Sequence, residues 1–147
     1  MSTNAMPSVG SSLQRAVITG VIGGLIGGIA FGILMGIWGV LPMVGMLIGQ
    51  NNAVVGFIVH MLISAAIGAT FGLIATRLPG SWAAAVISGG VYGIVWWVLG
   101  ALILMPLMLG MNEMVLQVGE MQTNSLIGHI VFGVIMGAVY KAAADRM

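Results

Sequence analysis

His60 and His129 are the only ionisable side chains that fall inside long apolar stretches of this 147-residue chain. An ionisable group at such a position is costly enough to mark a functional candidate. The two have similar surroundings, His60-xxx-Ser64-xxx-Gly68-Ala69-x-Phe71 and His129-xxx-Gly133-xxx-Gly137-Ala138-x-Tyr140. On a helix these spacings put each imidazole on the same face as small residues, pointing into a bundle rather than at lipid. Three chemistries fit. A neutral imidazole can hydrogen-bond a carbonyl or hydroxyl of a neighbouring helix and fix packing, worth about 0.6 to 2 kcal/mol in a membrane. Two facing imidazoles can ligate the iron of a haem b. The third is copper. The chain has 13 methionines, and Met105, Met108, Met111 and Met114 recur every third residue, with Met43, Met46, Met121, Glu113 and Glu120 expected at the same end. Thioethers and imidazoles suit Cu(I) better than any hard cation, whereas the same methionines also serve as flexible filler.

Other chemistries are excluded by what is missing. With no cysteine there are no disulfides, thiolate metal sites or cysteine nucleophiles. No Ser/His/Asp set and no H-x-x-x-H pair occurs, and no carboxylate lies inside an apolar stretch to relay protons. Gly23-Gly24 and Gly27-Gly28 lack the preceding strand and following Lys-Ser/Thr of a phosphate loop. A net charge of +1 with four dispersed basic residues offers no nucleic-acid surface. The expectation is a protein that is not an enzyme.

The elements that position these residues follow from hydropathy. The chain is 60% hydrophobic and 5% charged, too apolar for a globule of this size to cover itself in water. Four apolar stretches, about 16–40, 53–75, 82–105 and 125–140, approach or exceed the length that spans about 30 Å of hydrocarbon at 1.5 Å per helical residue. Without strand-like alternation they satisfy their backbones in lipid only as helices. The expected fold is all-α, an integral membrane four-helix bundle in one domain over residues 13–147, with residues 1–12 a disordered polar tail. Arg15, Arg77, Lys141 and Arg146 all fall at one end, while the other end carries Glu113 and Glu120 and no basic residue. The positive-inside rule then places both termini in the cytoplasm, in the cytoplasmic membrane of a prokaryote. Pro79-Gly80 closes a tight link that predicts the second and third spans as antiparallel neighbours.

Gly20, Gly24, Gly28, Gly32 and Gly36 recur every fourth residue of the first span, with Gly23 and Gly27 beside them. A groove of this kind along one helix face is a docking seam, used either within the bundle or between copies in a homo-oligomer or membrane complex. Shorter versions are Ser64, Gly68, Gly72; Gly89, Gly93; and Gly133, Gly137. Gly36 and Pro42 match Gly100 and Pro106, which with the histidine strings suggests a duplicated helical hairpin about a pseudo-two-fold axis along the membrane normal. Each proline is expected to end or kink its helix, with apolar caps beyond it. Residues 114–121 read as a brief interfacial helix, and Trp96-Trp97 as a pair straddling a helix interface.

The strings Gly128-His129-Ile130-Val131-Phe132-Gly133 and Leu104-Met105-Pro106-Leu107-Met108-Leu109-Gly110 resemble stretches of small bacterial inner-membrane proteins of the uncharacterised YagU-like type, across spans two to four. The resemblance implies a polytopic helical membrane protein and lends no activity, cofactor or assigned residue. The sequence therefore leads to a non-enzymatic accessory component of the bilayer. The alternatives are a bundle holding haem b or Cu(I) through His60, His129 and nearby methionines, or a small solute or ion pathway.

Overall fold

A computed structural model describes residues 9–146, and its regular elements are all helical. α1 runs Val9–Ile37, α2 Leu41–Gly45 with a 3-10 turn Met46–Ile48, and α3 Ala53–Ala75. α4, Trp82–Trp96, passes through a π-helical stretch, Trp97–Leu104, into α5, Met105–Met108; a 3-10 turn, Asn112–Met114, leads to α6, Glu120–Ala144. The unstructured reading of residues 1–8 lies outside the described residues, and residues 9–12 already belong to α1.

Four helices are long and apolar enough to cross a membrane: Ser12–Ile37, Ala53–Ala75, Trp82–Met108 and Glu120–Ala144. Their surfaces invert the distribution expected in water. Ile22, Ile26, Ile33, Ile58, Leu62 and Ile87 are exposed, while Thr19, His60 and Ser64 are buried. Apolar outside and polar inside is the arrangement of a multi-pass membrane protein.

Local chemistry sets the span ends and corrects several expectations. α1 stops three residues before the expected Val40 because Gly39, at φ +69°, forms a Schellman cap: Val40 N–H donates to Met35 O (3.0 Å) and Gly39 N–H to Gly36 O (3.2 Å). Pro42 then begins α2 instead of ending α1. Gly49 and Gly110, also at positive φ, close the 3-10 turn and α5 in the same way, through Gln50 N–H to Gly45 O and Met111 N–H to Pro106 O. A Cβ at Gly39 meets nothing within 4 Å, so only backbone strain opposes a side chain. Gly39→Ala is expected to cost about 1 kcal/mol in a detergent unfolding titration; an unchanged midpoint would show that the cap contributes nothing.

Pro106 sits inside the third span, which runs on to Met108. Lacking an N–H, it cannot serve the carbonyl of Leu102 four residues back. The chain compensates with the π-helical turns before it, and by folding the far loop over so that Leu116 N–H donates to Leu102 O at 2.9 Å. That return holds Leu116 at φ +59°. Residues 115–119 consequently form no interfacial helix, and α6 starts at Glu120, ahead of the expected residue 125. Asn52 caps α3 by accepting from Val54 and Val55 N–H, and Ser81 caps α4 by accepting from Ala84 N–H.

The helices associate as two close pairs, α1 with α3 and α4 with α6, joined through an α1–α6 contact. α1 carries two glycine rows, not one. A Cβ on Gly20 or Gly24 would overlap the carbonyl oxygen of Gly68 or Ser64 on α3. Gly23 and Gly27 form an adjacent row, where a Cβ would lie 2.7 Å from Met136 O and 2.6 Å from Phe132 O on α6. In the second pair Gly89 and Gly93 lie against the carbonyls of Gly133 and His129, and Gly137 against that of Ala85. The expected close neighbours α3 and α4 touch mainly through side chains. Where α1 offers glycines to α6, α4 offers Tyr92 to α3: its ring lies 5.5 Å from that of Phe71, and its hydroxyl is 2.7 Å from Thr70 Oγ1. A tyrosine at that contact holds the two backbones apart.

Candidate functional site

Between α1 and α3 backbone contact is confined to the end that carries the basic residues. At the other end it is the short α2 that meets the start of α3, where a Cβ on Gly56 would overlap the Leu41 carbonyl oxygen. Along the first row, Gly20 and Gly24 meet backbone, Gly28 and Gly32 meet the side chains of Ser64 and Phe57, and Gly36 meets only Leu41 Cδ1 at 3.7 Å. The five glycines thus make a tapering seam, and α1 and α3 diverge towards the far end. At the tight end the core is filled by Thr19, Phe71 and Met136, each at most 1% exposed. At the splayed end two cavities remain, of about 490 and 440 Å³, with Phe31, Met35, Val44, Ala101, Met105 and Ser125 in the wall of both.

Both histidines line the larger cavity. His60, on α3, is 7% exposed and its Nε2 lies 2.9 Å from Gly28 O of α1. A carbonyl oxygen can only accept, so Nε2 carries the proton and donates, leaving Nδ1 with a lone pair. His129 Nδ1 lies 2.8 Å from Ser125 O one turn earlier on α6, which makes Nδ1 the donor and leaves the lone pair on Nε2. Neither lone pair has a hydrogen-bond partner among the described residues. The structure therefore brings the two imidazoles to one cavity, as their shared surroundings in the sequence suggested, with their tautomers fixed by main-chain acceptors.

Phe31 decides what the pair can do. Its ring contacts His60 at a centroid distance of 5.3 Å and His129 at 4.8 Å, edge-on to both, and α1, which carries it, lies between α3 and α6. Gly128 leaves it room, since a Cβ there would overlap the Phe31 ring. With that ring between them the imidazoles do not flank a space that a porphyrin could enter. The residues present do not fit a bis-histidine haem b.

The methionine run divides. Met105 and Met111 line the smaller cavity, joined by Met35, Met43, Met114 and Met121 from four other segments, and by Glu120. Met108 stands apart, 65% exposed on the wall of the histidine cavity, and Met46 lines neither. Sequence spacing missed Met35, whose contribution depends on α1 reaching the far end beside α5. Trp97 bridges helices, its Nε1–H donating to Gln122 O at 2.8 Å. Trp96 turns to the histidine cavity, and its Nε1 is buried with no partner. Among the described residues no group of three or more His, Cys, Asp or Glu side chains is placed to hold a metal ion.

Residues 14–147 match the family described as a family of unknown function (DUF6789). The chain belongs to that family. No curated protein matches, and no solved structure does. The YagU-like resemblance has no support beyond the strings that prompted it. Membership in DUF6789 carries no activity, so the functional reading rests on this chain's own geometry.

Proposed function

We propose that this DUF6789 chain is a non-enzymatic accessory protein of a prokaryotic cytoplasmic membrane, both termini cytoplasmic, whose bundle is sealed at the cytoplasmic end and hollow at the other. The observation that carries it is the gradient from backbone contact at Gly20, Gly24, Gly68 and Gly72 to open cavities beyond Gly32. That gradient argues against a solute or ion pathway, because Thr19, Phe71 and Met136 fill the core at the tight end. All four basic residues lie at the sealed end, where Lys141 pairs with Asp145, which supports the cytoplasmic assignment. Since the chain lacks cysteine, sidedness can be tested with single replacements. In intact cells an impermeant maleimide should modify Gln117→Cys and spare Arg77→Cys; the reverse pattern would overturn the topology.

A duplicated hairpin is part of the same proposal. Gly24 lies against the Ser64 carbonyl and Gly68 Cα just as Gly89 lies against the Gly133 carbonyl and Gly137 Cα, so the histidine strings occupy matched contacts. The glycines facing them pair one residue out of the register set by Gly36, Pro42 and Gly100, Pro106. The expected pseudo-two-fold axis finds no such support, because it would make α3 and α4 as close as α1 and α6. Ser88 and Tyr92 occupy on α4 the places of Gly23 and Gly27 on α1. The glycine rows are used within the chain, which leaves homo-oligomers or membrane complexes to form through other surfaces.

The convergence of six methionines on the smaller cavity favours one second reading, retention of Cu(I) by thioethers at the far end. Equilibrium dialysis should then show at least one Cu(I) per chain, falling in a Met105→Leu, Met111→Leu double variant. Less than one ion per wild-type chain removes this reading.

A further inference from the structure

We propose that the histidine cavity is a binding site for a neutral, lipid-soluble hydroxylated aromatic molecule, of the phenol or hydroquinone class, entering from the bilayer between α3 and the π-helical segment of α4. The cavity has the volume of a small-molecule site, about 490 Å³. Its wall contains no Lys, Arg, Asp or Glu, so an ion of either sign would be buried without a partner, at a cost that rules out charged ligands. Phe31, Trp96 and Phe132 contribute aromatic faces, which favour a flat ring.

The way in is lateral. Tyr92 keeps α3 and α4 apart, and the wall residues Ile48, Ile63, Leu104 and Met108 are also exposed on the outer surface of the bundle. An apolar tail can lie out through that gap into lipid. The π-helical turns forced by Pro106 place Gly100 and Ala101, both small, against the space a ring would fill.

The polar handles select the hydroxyl. His60 Nε2–H and His129 Nδ1–H are committed to carbonyls, so what the two imidazoles offer the cavity is a pair of lone pairs. Lone pairs in an apolar site call for a donor, which a hydroxyl supplies and a ketone or ether does not. Trp96 contributes its ring to the same wall, while its Nε1–H is buried beneath the cavity surface, so the imidazole lone pairs are what select the hydroxyl.

The test compares 4-nonylphenol with 4-nonylanisole, its methyl ether, on the full chain in nanodiscs, read by tryptophan quenching against protein-free discs. Saturable binding of the phenol, at least about tenfold tighter than the ether, is expected, which corresponds to about 1.4 kcal/mol. His129→Phe should bring the two affinities together. Ala101→Phe, which fills the cavity without touching either imidazole hydrogen bond, should abolish binding of both. Equal affinities in the wild type would overturn the hydroxyl assignment, and absence of saturable binding would overturn the site itself. Both comparisons on the wild type stand even if a variant fails to fold. Neither outcome bears on the proposed topology, whose own test is the sidedness of positions 77 and 117.

Discussion

Gly24→Leu is expected to break the first hairpin. A Cβ at this position would overlap the Ser64 carbonyl oxygen and come within 2.8 Å of Gly68 Cα. Both obstacles are backbone, so no rotamer change relieves them and α1 must move away from α3 along its whole tight half. Overpacking of this kind costs about 3 kcal/mol or more when the backbone has to yield. Separation also forfeits the close van der Waals approach that holds helices together in lipid. The measurement is the unfolding midpoint in mixed detergent micelles titrated with dodecyl sulfate. The control comes from the same row: at Gly36 a Cβ meets only Leu41 Cδ1 at 3.7 Å, and alanine there should be neutral within about 1 kcal/mol, helped by its lower conformational entropy when unfolded. Equal shifts for Gly24→Leu and Gly36→Ala would mean that the seam does not taper and that the cavities do not arise from it.

Gly27→Leu should part the two hairpins while leaving each one intact. Its Cβ would lie 2.6 Å from Phe132 O and 3.2 Å from the Phe132 ring, on the face of α1 adjacent to the α3 seam. The expected loss is about 2 to 3 kcal/mol, and it should fall on the α1–α6 junction. Spin labels on Ile58→Cys of α3 and Val91→Cys of α4, both exposed positions, read that junction directly. Their distance distribution should lengthen and broaden in the variant, with helix content by circular dichroism unchanged. A narrow, unshifted distribution would show that Gly27 is not the contact joining the halves.

The first prediction concerns a row visible in the sequence, the second a row whose partner was not. Regular spacing at Gly20, Gly24 and Gly28 identifies a groove on any helix, because four residues nearly complete a turn. It does not say where the groove stops being used. Gly32 and Gly36 continue the spacing, yet they face Phe57 and Leu41 side chains, because the Schellman cap at Gly39 and the short α2 turn the chain aside at that end. Likewise Pro42 and Pro106 look equivalent as residues. One begins a helix and the other is absorbed within a span, a difference decided by whether a glycine in the left-handed region precedes it and by whether the far loop can return Leu116 to the orphaned carbonyl of Leu102.

Composition and charge placement alone determined that this chain is helical and suited to hydrocarbon, since the solvent that can accommodate so apolar a chain also demands that each span satisfy its own backbone. The spacing of His60 and His129 relative to small residues was enough to turn both inward. What the tertiary structure decided is which helices meet. Tyr92 faces α3 while Gly23 and Gly27 face α6, so one junction closes and the other stays open. The seating of Phe31 against both imidazoles, and with it the exclusion of a shared haem iron, depends on contacts among three helices that no periodicity within any one of them encodes.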